Sequence, residues 1–215
     1  KNGTFSLPSI PYNALDVTEE LPIYLTGYIG ETFFQDGIEL TRLRNEVEAY
    51  KPKKVKMYLS TEGGDMKAAF DIVSYMKSQK DVTFTVVNAG LVASAGTIIL
   101  AGADKAESYN YGIGMVHKPS MLAYGDASAM QKAIDTLQVF ENSIYPIYLE
   151  RIEKNKKLVN DSKEDTLIYL KSLMKPSEMT WLSADEMLQI GFIDKIINQT
   201  TQTKAVQNHV MNSLT

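Results

Sequence analysis

Apolar and polar residues along this chain alternate between the spacing of a strand and the spacing of a helix. In the stretch 55–60 apolar residues take every second position, which predicts a half-buried strand. In the stretch 69–76 they recur after three and four residues, which predicts a helix with one buried face. The run 83–87 is rich in β-branched residues and predicts another strand. This alternation favours an α/β fold with parallel βαβ units, in which functional loops follow the strands.

Further elements follow from the same two patterns. They are strands at 21–29 and 113–116, helices at 41–48 and 97–101, and a last organised stretch at 180–197. The pattern breaks at Gly90, so we expect the preceding strand to end before that glycine. Ser162 with Asp165, and Ser183 with Glu186, have the spacing of capping boxes, and each pair predicts the start of a helix.

In the longest periodic stretch, apolar residues keep a helical spacing from Met130 to Ile152, over roughly six turns, which predicts a long helix at 126–152. A capping box of Ser128 with Gln131 is expected at its start, and Pro146 is expected to bend or interrupt it. Such a helix is too long to be covered by its own small domain. Its apolar side therefore predicts burial against neighbouring subunits, and hence a homo-oligomer.

Length and charge limit the classes of function. The 215 residues suit one core domain, which we assign to 21–198, with an extended arm at 1–20 and a polar tail at 199–215. The formal charge of −4 comes from 22 basic and 26 acidic residues mixed throughout, which argues against nucleic-acid binding. No apolar run approaches the roughly 20 residues of a membrane span. We therefore expect a cytoplasmic protein without a membrane partner.

The residue types present also limit the chemistry. The chain has no cysteine, which excludes disulfides and thiol catalysis. It has two histidines, and His209 is in the polar tail, so we expect no metal site. The remaining candidates are oxygen nucleophiles, carboxylates, lysines and one imidazole. No cofactor is expected.

Candidate catalytic residues follow the strand at 83–87. Ser94 lies between two alanines just before a helix-compatible run, and a strand, sharp turn and helix project such a hydroxyl outward. The amide of Ala95 would lie at the helix N-terminus, where unpaired donors favour negative charge. His117, at the end of a predicted strand, could act as the base. Taken alone, Ser94 is better explained as a small residue that permits close packing, and His117 as a buried and inert histidine.

A second loop, with the sequence TEGGD, contains Gly63 and Gly64. Two glycines after a strand permit backbone conformations that other residues avoid, so this backbone can approach a ligand. Asp65 is expected to cap the helix that follows. Taken alone, the loop is better explained as a tight connection with no further role.

Four motifs together resemble the proteolytic subunit of the Clp protease, and more closely its phage and prophage head-maturation relatives. In chain order they are TEGGD, ASAG, MVHKPS and, after a long helix, WLSADEMLQIGFID. The resemblance covers about 21–198. The resemblance implies a crotonase-like Clp protease fold of repeated ββα units with a long protruding handle helix at 126–152. It also implies a serine endopeptidase that assembles into rings or stacked rings.

The resemblance assigns a role to each candidate residue. Ser94 matches the nucleophile, His117 the general base, and Ala95 and Gly64 the donors of the oxyanion hole. The family's catalytic aspartate matches Met179, which cannot orient an imidazolium.

The third catalytic residue is therefore open. Glu178, the neighbour of Met179, is a candidate if the loop is irregular. The alternatives are a Ser-His dyad aided by a backbone carbonyl or water, or a degenerate site.

The same resemblance implies partners, and other functions compete with it. A peptide or protein substrate is implied, with either a separate AAA+ unfoldase or phage capsid proteins as partners in a bacterial or phage-infected cell. The main alternative is a non-catalytic, ring-forming assembly or scaffold protein. A crotonase-type acyl-CoA enzyme is disfavoured because it gives no reason for His117. A Ser-Lys peptidase with Lys118 or Lys105 as the base is less economical.

Overall fold

The computed structural model describes residues 20–31, 37–155 and 162–198. The predicted tail and all but the last residue of the predicted arm lie outside these ranges. In chain order the elements are β1 (Leu21–Thr26), α1 (Leu40–Tyr50), β2 (Lys54–Thr61), α2 (Met66–Ser78), β3 (Thr83–Ala93), α3 (Ala95–Gly102), β4 (Lys105–Tyr109), β5 (Ile113–Val116), α4 (Ala127–Asn155), α5 (Lys163–Leu173), β6 (Thr180–Ser183), α6 (Ala184–Gln189) and β7 (Lys195–Ile197).

The described strands form one sheet. Five of them lie in the order β1, β2, β3, β4, β7, and every neighbouring pair is parallel. β5 lies parallel to the second half of β3, and β6 pairs with β5 in the antiparallel direction. The predicted α/β class is confirmed, and the loops after the parallel strands meet at one edge of the sheet.

The central strand β3 continues to Ala93, so the expected end before Gly90 is wrong. The strand changes partners at this point, because Asn88 is the last residue paired with β4 and Leu91 is the first paired with β5. The buried Asn88 side chain forms hydrogen bonds with backbone groups where β3 changes partners. Its amide donates to the carbonyl of Ile113 at 3.0 Å, and its oxygen accepts from the amide of Gly90 at 3.1 Å.

Other boundaries show what the pattern detects. β1 ends at Thr26, three residues before the predicted end. The capping boxes at Ser162 and Ser183 are both present, with reciprocal hydrogen bonds to Asp165 and Glu186. β4 and β6, strands of five and four residues, were not predicted, although the four-residue strand β5 was.

Helix α4 is the long helix expected from the sequence. Asp126 caps it by accepting a hydrogen bond from the amide three residues later. The predicted capping box of Ser128 with Gln131 is wrong, since both residues lie inside the helix. The helix also continues through Pro146. No residue of α4 before Ile144 is buried, so its N-terminal half stands away from the core.

The C-terminal half of α4 packs against α3, and all residues of α3 are buried. The Arg151 guanidinium donates to the carbonyls of Ala101 and Ala103 at the C-terminal end of α3, and to the carboxylate of Asp194 at 3.0 Å. Its side chain is 1% exposed. Carbonyls at a helix end have no partner within the helix, so this arginine satisfies groups that burial would otherwise penalise.

We expect Arg151→Met to lower the free energy of unfolding by about 3 kcal/mol, because it removes the buried donor of a charge pair and leaves the carbonyls of Ala101 and Ala103 without it. Urea unfolding monitored by circular dichroism measures the change. Arg42→Met is the matched control, since Arg42 forms an exposed ion pair with Glu46 at 3.3 Å and its loss should cost below about 0.5 kcal/mol. Equal losses in the two variants would contradict this account of Arg151.

Candidate active site

Ser94 forms a strained turn between β3 and α3. Its φ and ψ are 53° and −124°, a conformation that residues other than glycine rarely adopt. The amide of Ser94 donates to the carbonyl of Met115 in β5 at 2.9 Å, which ties the turn to the neighbouring strand. This is the strand, sharp turn and helix that the sequence predicts, and it places the Ser94 side chain at the edge of the sheet.

His117 reaches Ser94 because their strands are neighbours. Ala93 pairs with Met115, so the residues that follow these two leave the sheet at the same edge. The distance from Ser94 Oγ to His117 Nε2 is 2.7 Å. For Nε2 to accept the serine proton, the neutral imidazole must carry its own proton on Nδ1.

The diglycine loop lies against this turn. Gly63 and Gly64 have φ values of 106° and 146°, and a Cβ on Gly63 would approach the Cβ of Ser94 to 2.6 Å. Ile29 bonds to the groups on both sides of Gly64, accepting from the amide of Asp65 and donating to the carbonyl of Gly63. No hydrogen bond joins the Gly64 amide to any described residue, which leaves it available to a ligand.

One cavity of about 290 Å³ collects four of the predicted residues: Gly64, Ser94, Ala95 and His117. Ala95 is the first residue of α3, so its amide has no acceptor within the helix. Apolar side chains from three helices form another part of the wall, namely Met66, Ile98, Phe140 and Ile144. The cavity therefore combines a serine, an imidazole and two backbone amides with an apolar surface.

Glu178 does not join this group. Its carboxylate lies 3.6 Å from the Lys175 ammonium in an exposed ion pair, and it makes no hydrogen bond with His117. Burial lowers the pKa of His117 below its ordinary value of 6.5, and no carboxylate among the described residues opposes that shift. The geometry therefore does not support the role predicted for Glu178.

Met179 lies just beyond the paired strands. The antiparallel ladder of β5 and β6 ends with Val116 opposite Thr180, so His117 and Met179 each stand one residue past the last pair. The Met179 side chain is 62% exposed and does not line the cavity. The structure thus has a Ser-His pair, and Met179, at the position matched to the family's aspartate, carries no carboxylate.

The lysine alternatives are not supported. Lys118 is paired with Glu141 at 2.8 Å, and neither it nor Lys105 lines the cavity. In the described ranges, no helix is both long and apolar enough to cross a membrane, and no three potential metal ligands form a cluster.

Comparison with known proteins identifies the family. A family model described as Clp protease matches residues 15–200. The chain belongs to the Clp protease family. The ATP-dependent Clp protease proteolytic subunit of Leuconostoc citreum is 30% identical over 161 residues, which cover 72% of each protein. Proteolytic subunit 2 of Treponema denticola is 27% identical over 179 residues, covering 81% of this chain and 80% of that protein.

A solved structure confirms the Clp protease fold. A ClpP1 variant from Listeria monocytogenes matches with a TM-score of 0.60 at 20% identity, covering 86% of this chain and 94% of that one. The family and fold expected from the four motifs are therefore confirmed. The closer likeness to phage and prophage members remains a prediction.

The burial of His117 affects how acylation of Ser94 should depend on pH. The imidazole must be neutral to accept a proton, and its lowered pKa keeps it neutral to a lower pH than usual. We expect the rate of acylation by a fluorophosphonate to fall on acidification with a midpoint below 6.5. Labelling rates between about pH 4.5 and 8 give the midpoint. A midpoint at or above 6.5 would show that burial does not control this group.

Proposed function

We propose that this member of the Clp protease family is a serine endopeptidase that uses a Ser94 and His117 dyad. The observation that carries the proposal is the 2.7 Å contact between Ser94 Oγ and His117 Nε2 inside one cavity. The names of the relatives, which are proteolytic subunits of an ATP-dependent protease, support the same reaction class.

The reaction begins when Ser94 Oγ attacks a peptide carbonyl while His117 Nε2 takes the hydroxyl proton. The carbonyl oxygen becomes an oxyanion, and the amides of Ala95 and Gly64 donate hydrogen bonds to it. His117 then protonates the leaving amine. Water, deprotonated by His117, attacks the acyl-enzyme and releases the carboxylate product and Ser94. Each oxyanion donor lowers the barrier by roughly 3 kcal/mol.

Assembly is part of the proposal. The N-terminal half of α4 exposes apolar residues away from the core, with Ile134 48% and Val139 64% exposed. We infer that they are covered by further copies of the chain in a ring or stacked rings. Substrates would be peptides, phage capsid proteins, or proteins delivered by a separate AAA+ unfoldase in the cytoplasm. Light scattering that finds only monomer at high concentration would contradict the assembly.

The activity is tested by hydrolysis of an unfolded protein such as casein. We expect the assembled protein to cleave it and Ser94→Ala to be inactive at the same oligomeric state. Ser120→Ala is the matched control, because Ser120 lines the same cavity but has no place in the proposed reaction. Equal cleavage by the protein and by Ser94→Ala would refute the proposed nucleophile.

A second candidate function is a ring-forming scaffold without catalysis. The observation behind it is that Met179 stands at the position matched to the family's catalytic aspartate, so no carboxylate is supplied there to orient the imidazole. An assembled protein that cleaves neither casein nor short peptides would support the scaffold and exclude the peptidase.

A further inference from the structure

We propose that Tyr148 is a positioning residue for the oxyanion hole, acting through Thr97 and the carbonyl of Ser94; the inference rests on the proposed peptidase function. The Tyr148 hydroxyl lies 2.5 Å from Thr97 Oγ1. Thr97 Oγ1 in turn lies 2.5 Å from the carbonyl oxygen of Ser94. Three groups from α4, α3 and the strained turn therefore form one continuous chain of hydrogen bonds.

The direction of this chain is fixed by its members. A carbonyl oxygen only accepts, so the single proton of the Thr97 hydroxyl must be donated to Ser94. Thr97 Oγ1 then accepts the proton of the Tyr148 hydroxyl. Tyr148 and Thr97 are 3% and 1% exposed, and burial raises the pKa of Tyr148, so its phenol keeps the proton that it donates.

This chain matters because of the peptide plane that it holds. The carbonyl of Ser94 and the amide of Ala95 belong to one planar peptide group and point in opposite directions. The carbonyl accepts from both the amide and the hydroxyl of Thr97, at 2.9 and 2.5 Å. Holding the oxygen on the buried side therefore turns the Ala95 amide away from it, as an oxyanion donor requires.

The strain at Ser94 makes such support necessary. A φ of 53° at a serine persists only when the surroundings fix it, and ψ of this residue sets the orientation of the peptide plane. Tyr148 is itself fixed, since its ring packs edge-on against Phe192 at 5.1 Å. Neither Tyr148 nor Thr97 stands out in the sequence, because both hydroxyls occur within otherwise apolar helical patterns.

Tyr148→Phe tests the proposal, because it keeps the ring and removes only the hydroxyl. We expect kcat for a peptide and the fluorophosphonate acylation rate to fall about tenfold, with KM and the pH midpoint unchanged. Thr97→Val should cause a similar loss, and combining the two should add little, since both break one chain. Thr97→Ser keeps the hydroxyl and should retain the rate.

Tyr145→Phe is the matched control. Tyr145 is a buried tyrosine of the same helix, and its hydroxyl donates to Glu141 at 2.7 Å and takes no part in the hydrogen bonds that reach Ser94. We expect its rate to equal that of the unmodified protein. A Tyr148→Phe variant with an unchanged rate, or one whose loss is entirely in KM, would overturn the proposal.

A crystal structure of Tyr148→Phe gives a readout that does not depend on activity. We expect the peptide between Ser94 and Ala95 to rotate from its present orientation. If that peptide keeps its orientation, Tyr148 does not position it, whatever the rate. If the unmodified protein is not acylated at all, the proposed function fails, while the orientation of this peptide still decides the role of Tyr148.

Discussion

Acylation of Ser94 is expected to slow by on the order of 10³ in His117→Ala. The serine hydroxyl is a weak nucleophile, and His117 Nε2, at 2.7 Å, is the one group in contact with Ser94 Oγ within the described residues that can take its proton. The oxyanion donors remain in this variant, so a low residual rate should persist. The second-order rate of fluorophosphonate labelling, followed by intact mass, measures the effect.

His209→Ala is the control for this experiment, because it removes the other histidine of the chain. We expect it to be labelled at the rate of the unmodified protein. Labelling of His117→Ala at that same rate would mean that Ser94 reacts without this imidazole, and the dyad would have to be abandoned.

The second large effect is a gain. Met179→Asp places a carboxylate one residue beyond the last pair of the β5 and β6 ladder, as His117 is on the other strand. A carboxylate at Nδ1 would hold the productive tautomer and stabilise the imidazolium that forms during attack. Because loss of such an aspartate costs about 10⁴ in an optimised triad, we expect a rise of about tenfold to a hundredfold here.

The same substitution should change the pH dependence in a defined direction. A nearby negative charge favours the protonated imidazole, so it should raise the pKa of His117 and move the midpoint of acylation upward. Met179→Asn introduces a neutral side chain of the same shape as aspartate. It should neither speed acylation nor move its pH midpoint. A Met179→Asp variant that is folded and no faster than Met179→Asn would show that position 179 does not face the imidazole.

Glu178→Gln tests the carboxylate that the sequence offers as the third catalytic residue. Glu178 is paired with Lys175 in the structure, so its neutralisation should leave the acylation rate unchanged. A large loss of rate would restore Glu178 as the third catalytic residue.

Most of the regular elements and the main groups of the site could be predicted from local sequence. The turn at Ser94 is visible because small residues separate a strand pattern from a helix pattern, and β3 and β5 then bring His117 to it. The diglycine loop is visible because two consecutive glycines follow a strand pattern, and the structure gives the reason for one of them, since a Cβ at Gly63 would approach that of Ser94 to 2.6 Å. Each of these signals comes from a few neighbouring residues.

Features that depend on tertiary pairing could not be predicted in this way. The continuation of β3 through Gly90 depends on the buried Asn88, whose partner Ile113 is 25 residues away. Tyr148 follows the apolar period of α4 and resembles a core residue until Thr97 is found opposite its hydroxyl.

The orientation of Glu178 is a similar case. Glu178 precedes the short strand β6, which has no clear period, so its position beside β5 follows only from the observed register with Val116 opposite Thr180.

The most direct test of the account is to treat the assembled protein with a fluorophosphonate and locate the adduct by peptide mass spectrometry. We predict one adduct per chain, on Ser94, formed through the base at His117 and absent from Ser94→Ala. A folded assembly that forms no adduct, or that is modified at another residue with Ser94 untouched, would contradict it.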